Sequence, residues 1–249
     1  LYSLLFAKVF FAKFNKLIFL LGARGIGVLN YKTPYLSGEE PFLSRYLSKY
    51  DKEGYLVIDV GANKGQFATW VLNNTRFTKL RSYEPNLYAV KELEQHRRFD
   101  VSRFCLVSKG LSSYVGESIL YDYQHGAASQ HASLYREVIS KIHASESVGE
   151  TVISLTTLDC ESAQITEKIS LLKIDTEGHE LDVLRGAKRL LSFNPPLAIM
   201  VEFNQMNAVS GSTYYSIRSI IGDQFTAFRL LPGGGLLKLD SCSQLYTEI

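Results

Sequence analysis

Cysteine is scarce in this chain. The three, Cys105, Cys160 and Cys242, are scattered and odd in number. They make neither a metal-ligand spacing nor a disulfide framework, which points to a reducing compartment, the cytoplasm. An excess of one charge is also missing. A net charge of +2 gives nucleic acid no electrostatic footprint. No charge-free apolar run reaches the ~20 residues that a membrane-spanning helix needs. No small-residue cleavage site follows the N-terminus cleanly, and the start at Leu1 reads as a trimmed end. Internal repeats and low-complexity segments are absent. What is there, in 249 residues, is enough chain for one large α/β domain with a full core.

The N-terminus is apolar and aromatic, interrupted by Lys8, Lys13 and Lys16. A helix docked on the domain is the first expectation. Phe10, Phe11, Phe14 and Phe19 are many aromatics for so short a segment, so the second expectation is a membrane-surface helix over residues 1–21. The domain reading is a helical extension over 1–37 and one α/β domain over 38–249.

From Tyr55 the pattern is regular. YLVIDV is a buried strand by its β-branched run, GANKGQ a turn, and FATWVLNN a helix. Lys79–Glu84, Arg103–Val107, Ser170–Asp175 and LAIMVEF are further strands, with helices at Leu87–His96, Leu181–Leu191 and Tyr214–Ile221. Gly116 suggests a small hairpin between Leu111–Val115 and SILYDY. Thr151–Leu155 is a short strand, and Asp159 reads as the cap of a short helix after it. Residues 124–150 are polar and hold His125, His131 and His143, a long excursion of the kind used over substrates. FTAFRLL and LLKLD close the chain as an antiparallel hairpin. Strands alternating with helices predict a mostly parallel sheet with helices on both faces.

Two features point to a nucleoside cofactor. Gly61 and Gly65 bracket a strand-to-helix turn, where glycine lets a ligand touch the backbone. The spacing is G-x-x-x-G, not the G-x-G-x-x-G of pyrophosphate binders. Asp59, just before the turn, would repel a phosphate and suits a cofactor carrying positive charge. S-adenosylmethionine (SAM), with an ammonium, a sulfonium and one carboxylate, is such a cofactor. Glu84 ends the next strand, close to the ~20-residue offset of an acid that takes both ribose hydroxyls. Adenine would then lie near Ser108–Ser112.

An acid-rich knot closes the fourth main strand. ISLLKIDTEGHELDVLRGA runs from an apolar strand into Lys173, Asp175, Glu177, His179 and Glu180. In a sheet of this type the first strand neighbours the fourth across the topological switch point. Asp175, Glu177, His179 and Glu202 are therefore expected to converge opposite the glycine turn. Lys173 on a buried strand must be matched by an acid.

DVGANKG, YEPN, LLKIDTEGHELDVLRGA and VEFN, in this order and at these intervals, resemble the FkbM-type family of SAM-dependent methyltransferases. The likeness covers about Gly38 to Phe203, and KIDTEGHE is its most specific part. It implies a class I, Rossmann-like methyltransferase fold with seven strands, and O-methylation of a hydroxyl on a sugar, glycolipid or related product. The cofactor set is then Asp59, Gly61, Ala62, Asn63, Gly65, Glu84, Pro85, Ser112 and Asp175. One departure is Ser113, where many relatives carry an acid. Three readings of the acid cluster compete. In the first, His179 or a carboxylate (Asp175, Glu177, Glu202) is the general base. In the second, Asp175 and Glu202, with Glu177, hold a divalent metal; this is not the favoured one. In the third, Glu177 and Glu180 cap the helix start and His179 is solvated. His125, His131, Ser133 and Tyr135 are either loop polarity or acceptor recognition. N- or carboxyl-methylation, and a non-catalytic SAM-binding scaffold, are the alternatives to O-methylation.

Overall fold

The computed structural model describes residues 1–28, 37–95, 100, 102–123, 132–142 and 148–239. His125, His131, His143 and Cys242 lie outside the described residues. The chain forms two compact units, one of Leu1–Ser48 with the segment from Phe225, the other of Lys49–Gln224.

The larger unit carries five parallel strands. They are β1 (Tyr55–Val60), β2 (Lys79–Tyr83), β3 (Phe104–Val107), β7 (Lys168–Ile174) and β8 (Ala198–Val201), in the order β3-β2-β1-β7-β8. The intervening strands are β4 (Gly110–Leu111), β5 (Gly116–Tyr123) and β6 (Val148–Thr156). β1 and β7 are buried along almost their whole length, as central parallel strands covered on both faces must be. Their apolar runs, LVI and ISLL, are the sequence form of that burial. β3 and β8 at the edges are only partly buried. The chain reverses its direction of winding between β1 and β7, the switch point expected from the sequence.

Seven strands in one sheet do not form among the described residues. β4, β5 and β6 make a separate sheet in the order β4-β6-β5. The expected hairpin around Gly116 is replaced by a long antiparallel pair, Gly116↔Leu155 through Tyr123↔Val148. Leu120, Ile153 and Leu155 form its own small core. The physical reason is reach: two strands of 8 and 9 residues satisfy far more backbone groups in each other than a two-residue β4 could offer β5. The closing hairpin is present as β9 (Phe228–Leu231) and β10 (Gly235–Lys238), but these strands pair only with each other. Their close neighbours lie in the smaller unit. A Cβ at Gly27 would overlap Leu230 O, and one at Gly38 would overlap Leu231 O. Arg45 donates to the carbonyls of Gly233 and Gly234 in the hairpin turn.

Two helix boundaries also differ from expectation. The helix expected over Leu181–Leu191 divides into Glu180–Arg185 and Lys188–Phe193. Gly186 at the division touches the Ser112 carbonyl, where a side chain would not fit. Asp159 does not cap the short helix Leu158–Glu161; Thr157 does, accepting from the Cys160 N–H. The Asp159 carboxylate instead accepts the N–H groups of Arg189 and Leu190 at 3.0 and 2.9 Å, capping the second of the two later helices.

Candidate active site

The strand register assembles the site. Val60 pairs with Tyr83 and with Ile174, and Ile174 pairs with Val201. The first residues past these four strands are Gly61, Glu84, Asp175 and Glu202. They therefore stand level at the carboxyl edge of four adjacent strands, where ligands of open α/β sheets bind.

The glycine turn is shaped by backbone contact. Gly61, Asn63 and Gly65 all have positive φ, at 83°, 49° and 80°. Gly61 and Ala62 both donate their N–H to Tyr83 O, at 3.0 and 3.1 Å. A Cβ at Gly61 would overlap the Asp175 carbonyl, so only glycine lets the first and fourth strand ends approach this closely. Gly65 precedes the helix Gln66–Asn74 and packs on Leu93. Glu84 is bound into the same turn. Its Oε2 accepts the Asn63 N–H at 2.8 Å and its Oε1 the Asn86 N–H at 2.8 Å. Burial raises its pKa to about 7, against the pull of those two N–H groups. Pro85 beside it lies 3.5 Å from the position of a Gly110 Cβ.

Beneath the turn is an acid–lysine pair. Asp59 is fully buried, with Ser82 Oγ donating to it at 3.2 Å. Lys173 Nζ lies 3.7 Å from Asp59 and 2.9 Å from Asp175 Oδ2, and sits over the Phe67 ring at 5.2 Å. Burial raises the Asp59 pKa and the Lys173 ammonium lowers it. The lysine on a buried strand is thus matched twice. Asp59 does not reach the site surface.

Asp175, Glu177 and Glu202 each bring a carboxylate oxygen within 4.8 Å of the others. Burial drives the Glu202 pKa up to about 10, helped by its hydrogen bond to Asp175 and the negative charges of Asp175 and Glu177. Burial thus favours a proton held between Glu202 and Asp175. That proton and the Lys173 ammonium reduce the cluster's negative charge. The same three carboxylates are the donors that could take a divalent cation, which would have to displace the proton.

His179 is placed differently from Asp175 and Glu202. It is 8 % exposed. Its Nε2 is 3.0 Å from Ser112 Oγ and its Nδ1 3.2 Å from the Tyr135 hydroxyl. Asp182 Oδ2 lies 3.8 Å from Nδ1. Burial depresses the His179 pKa, so the ring is neutral at pH 7. Burial also drives the Tyr135 hydroxyl up to about 12, so it keeps its proton. Both ring nitrogens are thus occupied by hydroxyls. Ser112, expected at the cofactor, is fully buried in this contact.

His179 is therefore not solvated, while Glu180 has the structural role expected of it, binding backbone just ahead of its helix. Glu180 is 1 % exposed. Its Oε1 accepts from Thr176 N, Thr176 Oγ1 and Gly178 N, and its Oε2 accepts from Asn207 Nδ2 at 2.7 Å. It holds the loop in which Glu177 has φ 53° and Gly178 φ 105°. Asn207 is a site-shaping residue that sequence reasoning missed. Its Oδ1 accepts the Asn204 N–H and completes a capping box for the helix Gln205–Ser210. The signal was available as N-x-x-N after VEF. Asn86 was missed as well. The described end of the polar excursion returns to the same loop. Ser133 Oγ donates to Glu177 O at 2.8 Å, and Val138 and Ile139 pack with Met206.

A family model described as "Methyltransferase FkbM domain" matches residues 59–228, more than half of the chain. It starts at the buried Asp59 and takes in the glycine turn, Glu84, the acid cluster and Glu202. No curated protein matches the sequence.

Proposed function

Since the chain belongs to the FkbM methyltransferase-domain family, we propose that it transfers a methyl group from SAM to a hydroxyl oxygen of a sugar or glycolipid acceptor. The observation that carries this reading is the joining of Glu84 to the glycine turn through the Asn63 N–H. A carboxylate held so, at the end of the strand next to a turn with positive φ at three residues, suits a ribose diol beside an amino-acid moiety. Gly61, Ala62, Asn63, Gly65, Glu84 and Pro85 would hold the cofactor. When bound, SAM supplies an electrophilic methyl on a sulfonium.

The remaining chemistry belongs to the protein. A hydroxyl must lose its proton as its oxygen attacks carbon. Asp175 is the base of this proposal, because it ends the strand beside the glycine turn and Lys173 Nζ holds its Oδ2 at 2.9 Å. Both ring nitrogens of His179 are engaged, so His179 is assigned to positioning Ser112 and Tyr135. A metal at Asp175, Glu177 and Glu202 is a second reading, favoured by the spacing of their oxygens alone.

The test is direct. SAM or S-adenosylhomocysteine at ~100 times its dissociation constant should stabilise the chain by about 2.7 kcal/mol in thermal unfolding. Glu84→Ala should lose most of that shift and stay folded. Labelled SAM offered with saccharide and glycolipid acceptors should release S-adenosylhomocysteine. EDTA should leave the rate unchanged; loss with EDTA and rescue by Mg²⁺ would move the assignment to the metal. Binding without turnover on any acceptor would leave a SAM-binding scaffold.

A further inference from the structure

No acidic residue precedes Glu39 in the sequence, whereas Lys8, Lys13, Lys16 and Arg24 fall within residues 1–28. This stretch folds as a helical hairpin. Helix α1 (Tyr2–Phe6) and helix α2 (Ala12–Gly25) are joined by a 3₁₀ turn, Val9–Phe11. Asn15 clips the two together. It accepts from the Tyr2 hydroxyl at 2.7 Å and donates to Phe6 O at 2.9 Å. Tyr2 stacks on Phe6, and Phe6 and Phe10 both meet Phe11 edge-on. The hairpin is therefore an ordered shape built by its own local contacts.

Its apolar side chains are turned outward. Phe14, Leu17, Ile18 and Leu21 follow the i, i+3, i+4, i+7 pattern of one helix face. They are 49 %, 54 %, 45 % and 59 % exposed. Ala23, half a turn round α2 from that stripe, is the one buried residue of the helix. Leu4, Val9 and Phe10 of the same hairpin are also exposed, at 78 %, 93 % and 88 %. Soluble monomers rarely leave so many large apolar side chains of one short segment in water. No helix among the described residues is long and apolar enough to cross a membrane. α2, with 14 residues, is about 21 Å long, against a hydrocarbon core of about 30 Å.

We propose that this hairpin lies in the surface of an anionic lipid bilayer. The apolar stripe enters the boundary between headgroups and acyl chains, and the lysines meet lipid phosphates. The charge pattern selects this occupant over a second copy of the chain. Two copies of this segment, each carrying Lys8, Lys13, Lys16 and Arg24 and no acid, would repel one another. The proposal is independent of the methyl-transfer reading, since it needs no cofactor.

Co-sedimentation of the full chain with vesicles tests it. The chain should pellet with phosphatidylcholine vesicles that include phosphatidylglycerol, and remain in solution with phosphatidylcholine alone. Raising salt from about 0.1 to 1 M should release it, as the Debye length falls from about 10 to 3 Å. Leu17→Asp combined with Leu21→Asp should abolish binding with the thermal midpoint unchanged, both positions being exposed. Lys8→Gln, Lys13→Gln and Lys16→Gln together should weaken it about a hundredfold. Failure of the full chain to pellet with anionic vesicles would overturn the proposal. So would unaltered binding by the Leu17→Asp/Leu21→Asp variant. A dimer in sedimentation equilibrium that this variant dissolves, with no vesicle binding, would assign the face to a second copy.

Discussion

Burial holds the pKa values of Glu84 and Glu202 well above those of ordinary carboxyls. Glu84 holds its proton to about pH 7, while a ribose diol is best bound by the carboxylate. SAM affinity should therefore rise with pH through about 7, and level off above it. Calorimetric titrations at pH 6, 7 and 8 check this; a flat profile would place the ribose elsewhere. With Asp175 as the proposed base, Asp175→Asn should lower turnover by about 10²–10⁴-fold with the SAM-induced thermal shift intact. His179→Ala has a different expected signature. It leaves the buried Ser112 hydroxyl unpartnered, so stability should fall by about 1–3 kcal/mol. Tyr135→Phe should lower turnover in parallel with His179→Ala. If His179→Ala costs turnover at full stability, the histidine and not Asp175 is the base.

At the scale of elements, the two helices that follow β7 owe their separation to a close approach. Gly186 lets the chain touch the Ser112 carbonyl, and the second helix then needs a cap that its own N-terminus lacks. Ala187 at that position has no side-chain acceptor. Asp159, some thirty residues earlier in the chain, supplies it through the N–H groups of Arg189 and Leu190. Asp159→Ala should lower stability by about 1 kcal/mol, the worth of an N-cap. Chemical denaturation checks this, and SAM binding should not change. Gly61→Ala should behave oppositely. Its Cβ would collide with the Asp175 backbone, so it should distort the junction of the turn with β7 and abolish the SAM-induced shift.

For the whole molecule, the pH dependence of stability follows from acids shifted in opposite directions. Glu84 and Glu202 have folded pKa values raised above 4.5, to about 7 and about 10. Between the unfolded and folded values the native state binds more protons, so their contribution is greatest below about pH 4.5 and is lost as pH rises. Asp51 and Glu167 are shifted down. Asp51 accepts the N–H groups of Arg76, Phe77 and Thr78, and Glu167 pairs with Lys79. They contribute above their unfolded values, and that contribution is lost as pH falls through the folded ones. His179, neutral by burial, opposes folding once pH drops below 6.5. The thermal midpoint without cofactor should therefore peak at mildly acidic pH and decline toward pH 9. Glu202→Gln should flatten the alkaline decline; an unchanged slope would remove Glu202 from the account.

Local sequence determined the main parallel strands and the ends at which chemistry gathers. Runs such as YLVIDV and ISLLKI can only be buried on both faces, and glycine at 61 and 65 announces a turn that a bulkier residue could not make. The meeting of Asp175, Glu177 and Glu202 was legible too, because strand order at a switch point is a general property of such sheets. Tertiary structure decided what depends on partners far along the chain. Whether a histidine four residues after Asp175 meets Ser112 and Tyr135 depends on partners 67 and 44 positions away, not on its own neighbours. Whether Asp159 caps the next helix or a distant one depends on which helix start is brought to it. Among the described residues, the seven strands implied by family likeness are replaced by sheets of five, three and two, since pairing between strands is a nonlocal choice. Exposure of the N-terminal apolar stripe is of the same kind. Periodicity shows that a face exists, and only the folded chain shows which way it is turned.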